Sequence, residues 1–194
     1  MRTTNWMILA AGAALLAGCA TAPAPKVAVI SAPAPVDLSG GLPYHWTQGA
    51  APQAYKDMVA EFGKRGLRPG EYLWTSSVPS EGDSRVVIDL LLQTAYAYKG
   101  DKLVGAASIS SARKGHVTPL GFWSVLEKRP FYRSKKYDNA PMPWMERFDE
   151  YGTAFHGGVN PGYPASHGCV RMPTKFAEKL YGLTQVGSKV IIEG

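Results

Sequence analysis

Two histidines precede a cysteine in the last quarter of the chain: His156 lies in Phe155-His156-Gly157-Gly158, and His167 in Ser166-His167-Gly168-Cys169-Val170-Arg171. Thiol nucleophilic catalysis needs this pair of residue types. The thiolate attacks a carbonyl, and an imidazole takes the thiol proton and later returns it to a leaving group. His167 is two positions from Cys169, so on an extended strand both would point to one side. His156 is far enough upstream to arrive from another strand or loop. Gly168 allows a tight path beside the cysteine and exposes amide N–H groups suited to an oxyanion hole. Gly157 and Gly158 let the chain beside His156 approach closely, and a backbone carbonyl there can hold the imidazole in one tautomer. His156, His167 and Cys169 also form a chemically possible zinc site, although no flanking acidic residue supplies a base or a further ligand.

Such a site needs a scaffold that brings distant segments together. The chain has 194 residues, 45% of them hydrophobic, enough for one domain with a sizeable core plus a tail. Its 21 Gly and 15 Pro argue against a helical bundle and suit a turn-rich β architecture. The spacing of Tyr55, Met58, Val59 and Phe62 predicts an amphipathic helix over 52–65, stopped at Gly66. Arg85 to Leu92, continued by Thr94 to Tyr98, reads as extended chain. Lys99-Gly100-Asp101 turns it back into Leu103 to Ile109, giving a β-hairpin. Further strands are expected over Gly121 to Leu126 and Lys189 to Ile192, and a short helix, capped by Thr174, over Thr174 to Tyr181 before Gly182. Residues 127–150 show mixed charge, aromatics and prolines without a clean period, and read as a long, lid-like loop with little regular structure. The fold class is mainly β, a sandwich or barrel-like sheet with a few short helices outside.

Net charge is +6, from 21 basic and 15 acidic residues without a dense basic run. That balance gives no footprint for a nucleic-acid partner and suits an anionic polymer or membrane surface. The first eighteen residues read as a secretion signal, with Arg2 as the positive region and an apolar run from Trp6 to Ala17 that is too short to span a bilayer. The run ends in Leu16-Ala17-Gly18-Cys19, which resembles the bacterial lipobox. That resemblance implies lipidation of Cys19 and a membrane anchor, and Ala20 after the cysteine implies sorting to the outer membrane, facing the periplasm. Residues 19–41 are rich in Ala, Pro and Val and serve as a semi-rigid linker. The catalytic domain is placed at 42–194. Two cysteines in all leave open one disulfide, one metal half-site or two separate roles.

The Ser166-His167-Gly168-Cys169-Val170-Arg171 run with His156 upstream resembles the L,D-transpeptidase (YkuD) family of peptidoglycan enzymes. The likeness extends to Val86 to Gln93, to Lys99-Gly100-Asp101, and to the Thr-Pro-x-Gly turn of Thr118-Pro119-Leu120-Gly121. It implies a YkuD-like β fold that needs no cofactor and no metal and acts on peptidoglycan stem peptides. Cys169 is then the nucleophile, His156 the general base and acid, and the Gly157 carbonyl the group that orients the imidazole. His167 and Gly168 shape the catalytic site, while Arg171 and Ser166 contact substrate. Val159 stands where related sequences often carry Asn. The expected reaction releases D-Ala from a stem tetrapeptide through a thioester on Cys169. Transfer to an amine then gives a 3-3 crosslink or anchors a protein; transfer to water gives a carboxypeptidase. A cysteine peptidase of the NlpC/P60 type has the opposite order, Cys before His, and the Thr-rich strand motif of a sortase is absent. A lipoprotein that only binds cell wall, without catalysis, is the remaining alternative.

Overall fold

The protein is described by a computed structural model covering residues 44–194. The signal segment, the linker and Cys19 lie outside the described residues. Strand β1 (Tyr72–Trp74) is followed by β2 (Ser84–Asp89), β3 (Thr94–Lys99) and β4 (Lys102–Ser108). With β5 (Gly121–Ser124) and the C-terminal β10 (Lys189–Glu193) they form a six-stranded sheet in the order β1-β4-β3-β2-β10-β5. Strands β6 (Glu127–Arg129), β7 (Met145–Arg147), β8 (Ala154–Gly157) and β9 (Val170–Met172) form a second sheet in sequence order.

Two helices complete the fold: α1 (Ala50–Phe62) and α2 (Thr174–Leu183). One face of the six-stranded sheet, carrying Val86, Ile88, Val104, Val190 and Ile192, packs on Phe155, Val170 and Met172 of the second sheet and on Phe176 and Leu180 of α2. The other face, with Val87, Tyr96 and Tyr98, is covered by Ala51, Ala54 and Met58 of α1. Burial on both faces explains why Val86-Val87-Ile88 is continuously apolar instead of alternating. Each such aliphatic side chain contributes about 1.5–3 kcal/mol through burial.

The N-terminus of α1 lacks a side-chain cap of its own, because Gly49 occupies that position. The Glu193 carboxylate fills the role from the last strand, accepting hydrogen bonds from the backbone N–H of Gln48 (2.7 Å) and Ala51 (2.7 Å) and from the Thr47 hydroxyl (2.9 Å). Four local expectations change. The 85–109 region forms two hairpins, because the chain also turns between β2 and β3, at Gln93 with φ 48°. Residues 127–150 are not a loop with little regular structure: they hold β6 and β7, paired Glu127↔Arg147 to Arg129↔Met145. Three-residue strands are too short to show a period, and these two are rich in charge. Helix α1 stops at Gly63, in the left-handed region at φ 65°, ahead of Gly66. Helix α2 starts without a Thr174 side-chain cap and runs through Gly182.

Candidate active site

Strands β8 and β9 are parallel neighbours in the register Phe155↔Val170, His156↔Arg171, Gly157↔Met172. Phe155, Val170 and Met172 enter the core, so strand alternation sends Ala154, His156 and Arg171 to the opposite face. Cys169, immediately before β9, packs there beside Ala154, Met142 and Met145. The pairing that builds the core therefore puts imidazole and thiol on one side of the second sheet. Strand β7, which pairs with β8 at Glu146↔Phe155, fixes the histidine strand from its other edge.

His156 is buried, and its Nδ1 lies 2.9 Å from the Gly157 carbonyl oxygen. A carbonyl only accepts, so Nδ1 carries the proton and Nε2 keeps its lone pair. Burial holds the imidazole below its usual pKa, against the effect of that hydrogen bond, and the Arg171 charge adds to the lowering. His156 is thus neutral at pH 7. Gly157 also has a packing reason: a Cβ there would sit 2.9 Å from Thr174 Cα, at the start of α2.

The thiol is half-buried, and Cys169 Sγ lies 3.9 Å from the Gly152 carbonyl oxygen. Burial pushes its pKa up, and Asp149 acts in the same direction. The Ala154 N–H and the Arg171 charge act against it. The resting pair is therefore neutral thiol and neutral imidazole. Among the described residues no hydrogen bond joins Sγ to His156; catalytic contacts often tighten only when substrate is bound.

The segment before Cys169 is a braced turn. Gly168 has φ 141°, a conformation that favours glycine, and its carbonyl accepts the Thr118 hydroxyl at 2.7 Å. Its N–H is not free for an oxyanion, because it donates to Ser166 Oγ at 3.0 Å. Ser166 is buried, and its Oγ accepts that N–H in bracing the turn. His167 lies in a bend instead of an extended strand. It is exposed, stacks on Tyr137 (centroids 4.3 Å, 15°), meets His116 edge-on (4.8 Å, 85°), and its Nε2 accepts from Arg113 Nη2 at 2.7 Å. Partial desolvation, then the Arg113, His116 and Arg171 charges, holds His167 below the usual imidazole range.

Arg171 lies along Gly158 and the His156 ring edge: a Cβ on Gly158 would be 3.4 Å from Arg171 Cδ and 3.6 Å from His156 Cε1. Its Nε is buried without a hydrogen-bond partner among the described residues. Val159 is 77% exposed, and the amide of the next residue, Asn160, donates to Ser108 Oγ at 3.1 Å. No group of three His, Cys, Asp or Glu side chains suited to a metal occurs among the described residues, and His156 and His167 have separate surroundings. The sequence pointed to the Thr-Pro-x-Gly turn without giving Thr118 its bracing role, and it passed over Arg113, His116 and Tyr137. Only the shared contact with His167 reveals these three, and no local pattern carries it. A cavity of about 530 Å³ is lined by Leu90, Gln93, Ser111, His116, Val117 and Thr118 among others, and neither Cys169 nor His156 is in its lining.

Known proteins resemble this chain in sequence and in fold. The L,D-transpeptidase catalytic domain model of the YkuD family matches residues 83–192. A Bacillus subtilis (strain 168) protein, "Putative L,D-transpeptidase YqjB", is 28% identical over 130 residues, covering 59% of this chain and 73% of that protein. The crystal structure of the L,D-transpeptidase (residues 123–326) from Xylanimonas cellulosilytica DSM 15894 superposes with a TM-score of 0.52 at 25% identity, covering 76% of this chain and 80% of the other. An L,D-transpeptidase from Mycobacterium smegmatis shares the fold at a TM-score of 0.54 and 17% identity, covering 58% of this chain. Our chain spans 59% of that protein's length. The family match covers more than half of the 194 residues and contains both β8 and the braced cysteine turn, and the chain belongs to the YkuD family of L,D-transpeptidase catalytic domains.

Proposed function

We propose that the protein is a cysteine-dependent L,D-transpeptidase acting on peptidoglycan stem tetrapeptides. The observation that carries the reading is the His156 imidazole, held by the Gly157 carbonyl with its Nε2 lone pair free, on the same sheet face as Cys169. In the first step the Cys169 sulfur attacks the carbonyl between the third residue and the terminal D-Ala, and His156 Nε2 takes the thiol proton. With the Gly168 N–H committed to Ser166, the oxyanion falls to the Cys169 N–H. The C–N bond breaks, D-Ala leaves as an amine carrying the proton from His156, and a thioester remains on Cys169. An acceptor amine, deprotonated by His156, then resolves the thioester. An amine on another stem gives a 3-3 crosslink, and an amine on a protein anchors it.

The exposed side chains of Val117, Tyr151, Val159 and Tyr163 suit this role, because each is on a segment adjoining the cysteine turn or His156. The second reading, an L,D-carboxypeptidase or amino-acid exchange activity, uses the same site with another acceptor. Incubating the domain with disaccharide tetrapeptide separates these: crosslinked dimer supports transpeptidation, tripeptide alone supports hydrolysis, and no product favours a wall-binding protein without catalysis. The membrane part of the reading is lipid attachment at Cys19 after removal of residues 1–18, with residues 19–41 as the linker to a domain from 42 facing the periplasm. Labelled palmitate should enter the full chain and not its Cys19→Ala variant, and label in both would refute the anchor.

A further inference from the structure

Arg113 is tied to the cysteine turn at two levels. Its backbone N–H donates to the Ser166 carbonyl at 3.0 Å, and its guanidinium donates to His167 Nε2 at 2.7 Å. His167 is itself held between Tyr137, from the loop joining β6 and β7, and His116. The guanidinium is oriented by that bond, with one N–H used and others of its five donors left over. Arg113 is exposed, and no ion pair among the described residues engages it or Arg171. The flanking sequence adds to the charge: Lys114 follows Arg113, while Lys135 and Lys136 precede Tyr137, with Asp138 as the nearby acid. Arg113 is bonded to the turn that leads into Cys169, Arg171 lies two residues beyond that cysteine, and neither has an acidic partner among the described residues. Such arginines call for an anion from outside, and a guanidinium fork matches a carboxylate better than an ammonium does.

We propose that Arg113, held by His167 and assisted by Arg171, is a carboxylate receptor that reads a free carboxylate of the donor stem peptide. This rests on the transpeptidase reading above for the identity of the peptide. A stem tetrapeptide offers two such groups, the side-chain carboxylate of a diamino diacid at position three and the terminal D-Ala carboxylate. Both present the same chemistry to Arg113, and amidation of one or the other separates them.

Binding to Cys169→Ala protein, followed by calorimetry, tests the receptor without requiring turnover. The probes are the free tetrapeptide and two analogues, amidated at the side-chain carboxylate or at the C-terminus. Amidation of the recognised carboxylate should weaken binding by about 10- to 100-fold, the range of a charge-assisted hydrogen-bonded pair. Adding R113Q should weaken the free peptide by a similar factor and leave that amide unchanged, while R113K should fall between. Equal affinity for all three peptides overturns the proposal. So does an R113Q effect that is the same on free and amidated forms, since that would mean Arg113 only positions His167. Acylation of wild-type Cys169 is a separate readout: its absence alongside charge-selective binding would refute the transpeptidase reading and leave the receptor standing.

Discussion

Strands β2, β3, β4 and β10 run for five to seven residues and belong to a sheet buried on both faces. Strands β6 to β9 run for three or four, and β8 and β9 turn one face to the core and the other toward His156 and Cys169. The long strands hold the fold by apolar burial that needs no special geometry. The short ones position chemistry, and for that they rely on single contacts: His156 on the Gly157 carbonyl, Thr118 on the Gly168 carbonyl, Ser166 on the Gly168 N–H. In this molecule adjacent residues with opposite side-chain directions enter the core and the candidate site. Phe155 and His156 are the plainest case.

Substitutions at those two neighbours should therefore separate the effects. His156→Gln should lower the rate of Cys169 acylation by about 10²- to 10⁴-fold, the usual contribution of a general base, with Tm little changed. A variant that acylates at the wild-type rate would remove His156 from the mechanism. Phe155→Ala, one position away and fully buried, should cost about 3–5 kcal/mol in denaturant unfolding. If it unfolds no more easily than wild type, the inward face of β8 is not the structural one.

The charge state of the pair gives a finer test. Because burial raises the Cys169 thiol and lowers the His156 imidazole, no thiolate–imidazolium pair stands ready at neutral pH. Alkylation of Cys169 by iodoacetamide should be slow at pH 7 and should rise through a midpoint above the ordinary thiol range. A midpoint well below that range would mean a preformed ion pair and would overturn the neutral resting state.

The smallest expected effect is at Glu146, a buried carboxylate on β7 that accepts a hydrogen bond from the Thr184 hydroxyl and lies 3.8 Å from Lys128 Nζ. Burial raises its pKa from 4.5 to about 6, so the folded state holds this proton more tightly than the unfolded chain does. Its contribution to stability is therefore full below pH 4.5 and is lost as pH rises through 6. Between pH 4 and 7 the wild type should lose about 2 kcal/mol relative to Glu146→Gln, from a shift of roughly 1.5 units at 1.36 kcal/mol each. Parallel pH profiles for the two proteins would show that Glu146 is not strained by its site.

The same division governs what the sequence makes legible. Strands β2 to β4 stand out because β-branched and aromatic residues repeat over long runs, and His156 and Cys169 stand out because few other residue pairs do thiol chemistry. The β6–β7 hairpin does not, since Glu127-Lys128-Arg129 and Met145-Glu146-Arg147 look like solvated charge until Lys128 and Glu146 are seen to meet at the end of α2. The surroundings of His167 are hidden because a sequence pattern assumes extended backbone where residues 167–169 in fact bend, with Gly168 at φ 141°. Glu193 capping α1, and Arg113 reaching His167, join residues 142 and 54 positions apart, and no local pattern reports such contacts.

The central claim is that Cys169 is acylated by the donor peptide, and intact-protein mass spectrometry followed by peptide mapping tests it directly. Wild-type domain mixed with disaccharide tetrapeptide should gain the mass of the donor less D-Ala, on the peptide that contains Cys169, and Cys169→Ala should gain nothing. Release of D-Ala without an adduct in rapidly quenched samples, or the same adduct on the Cys169→Ala protein, would contradict the account.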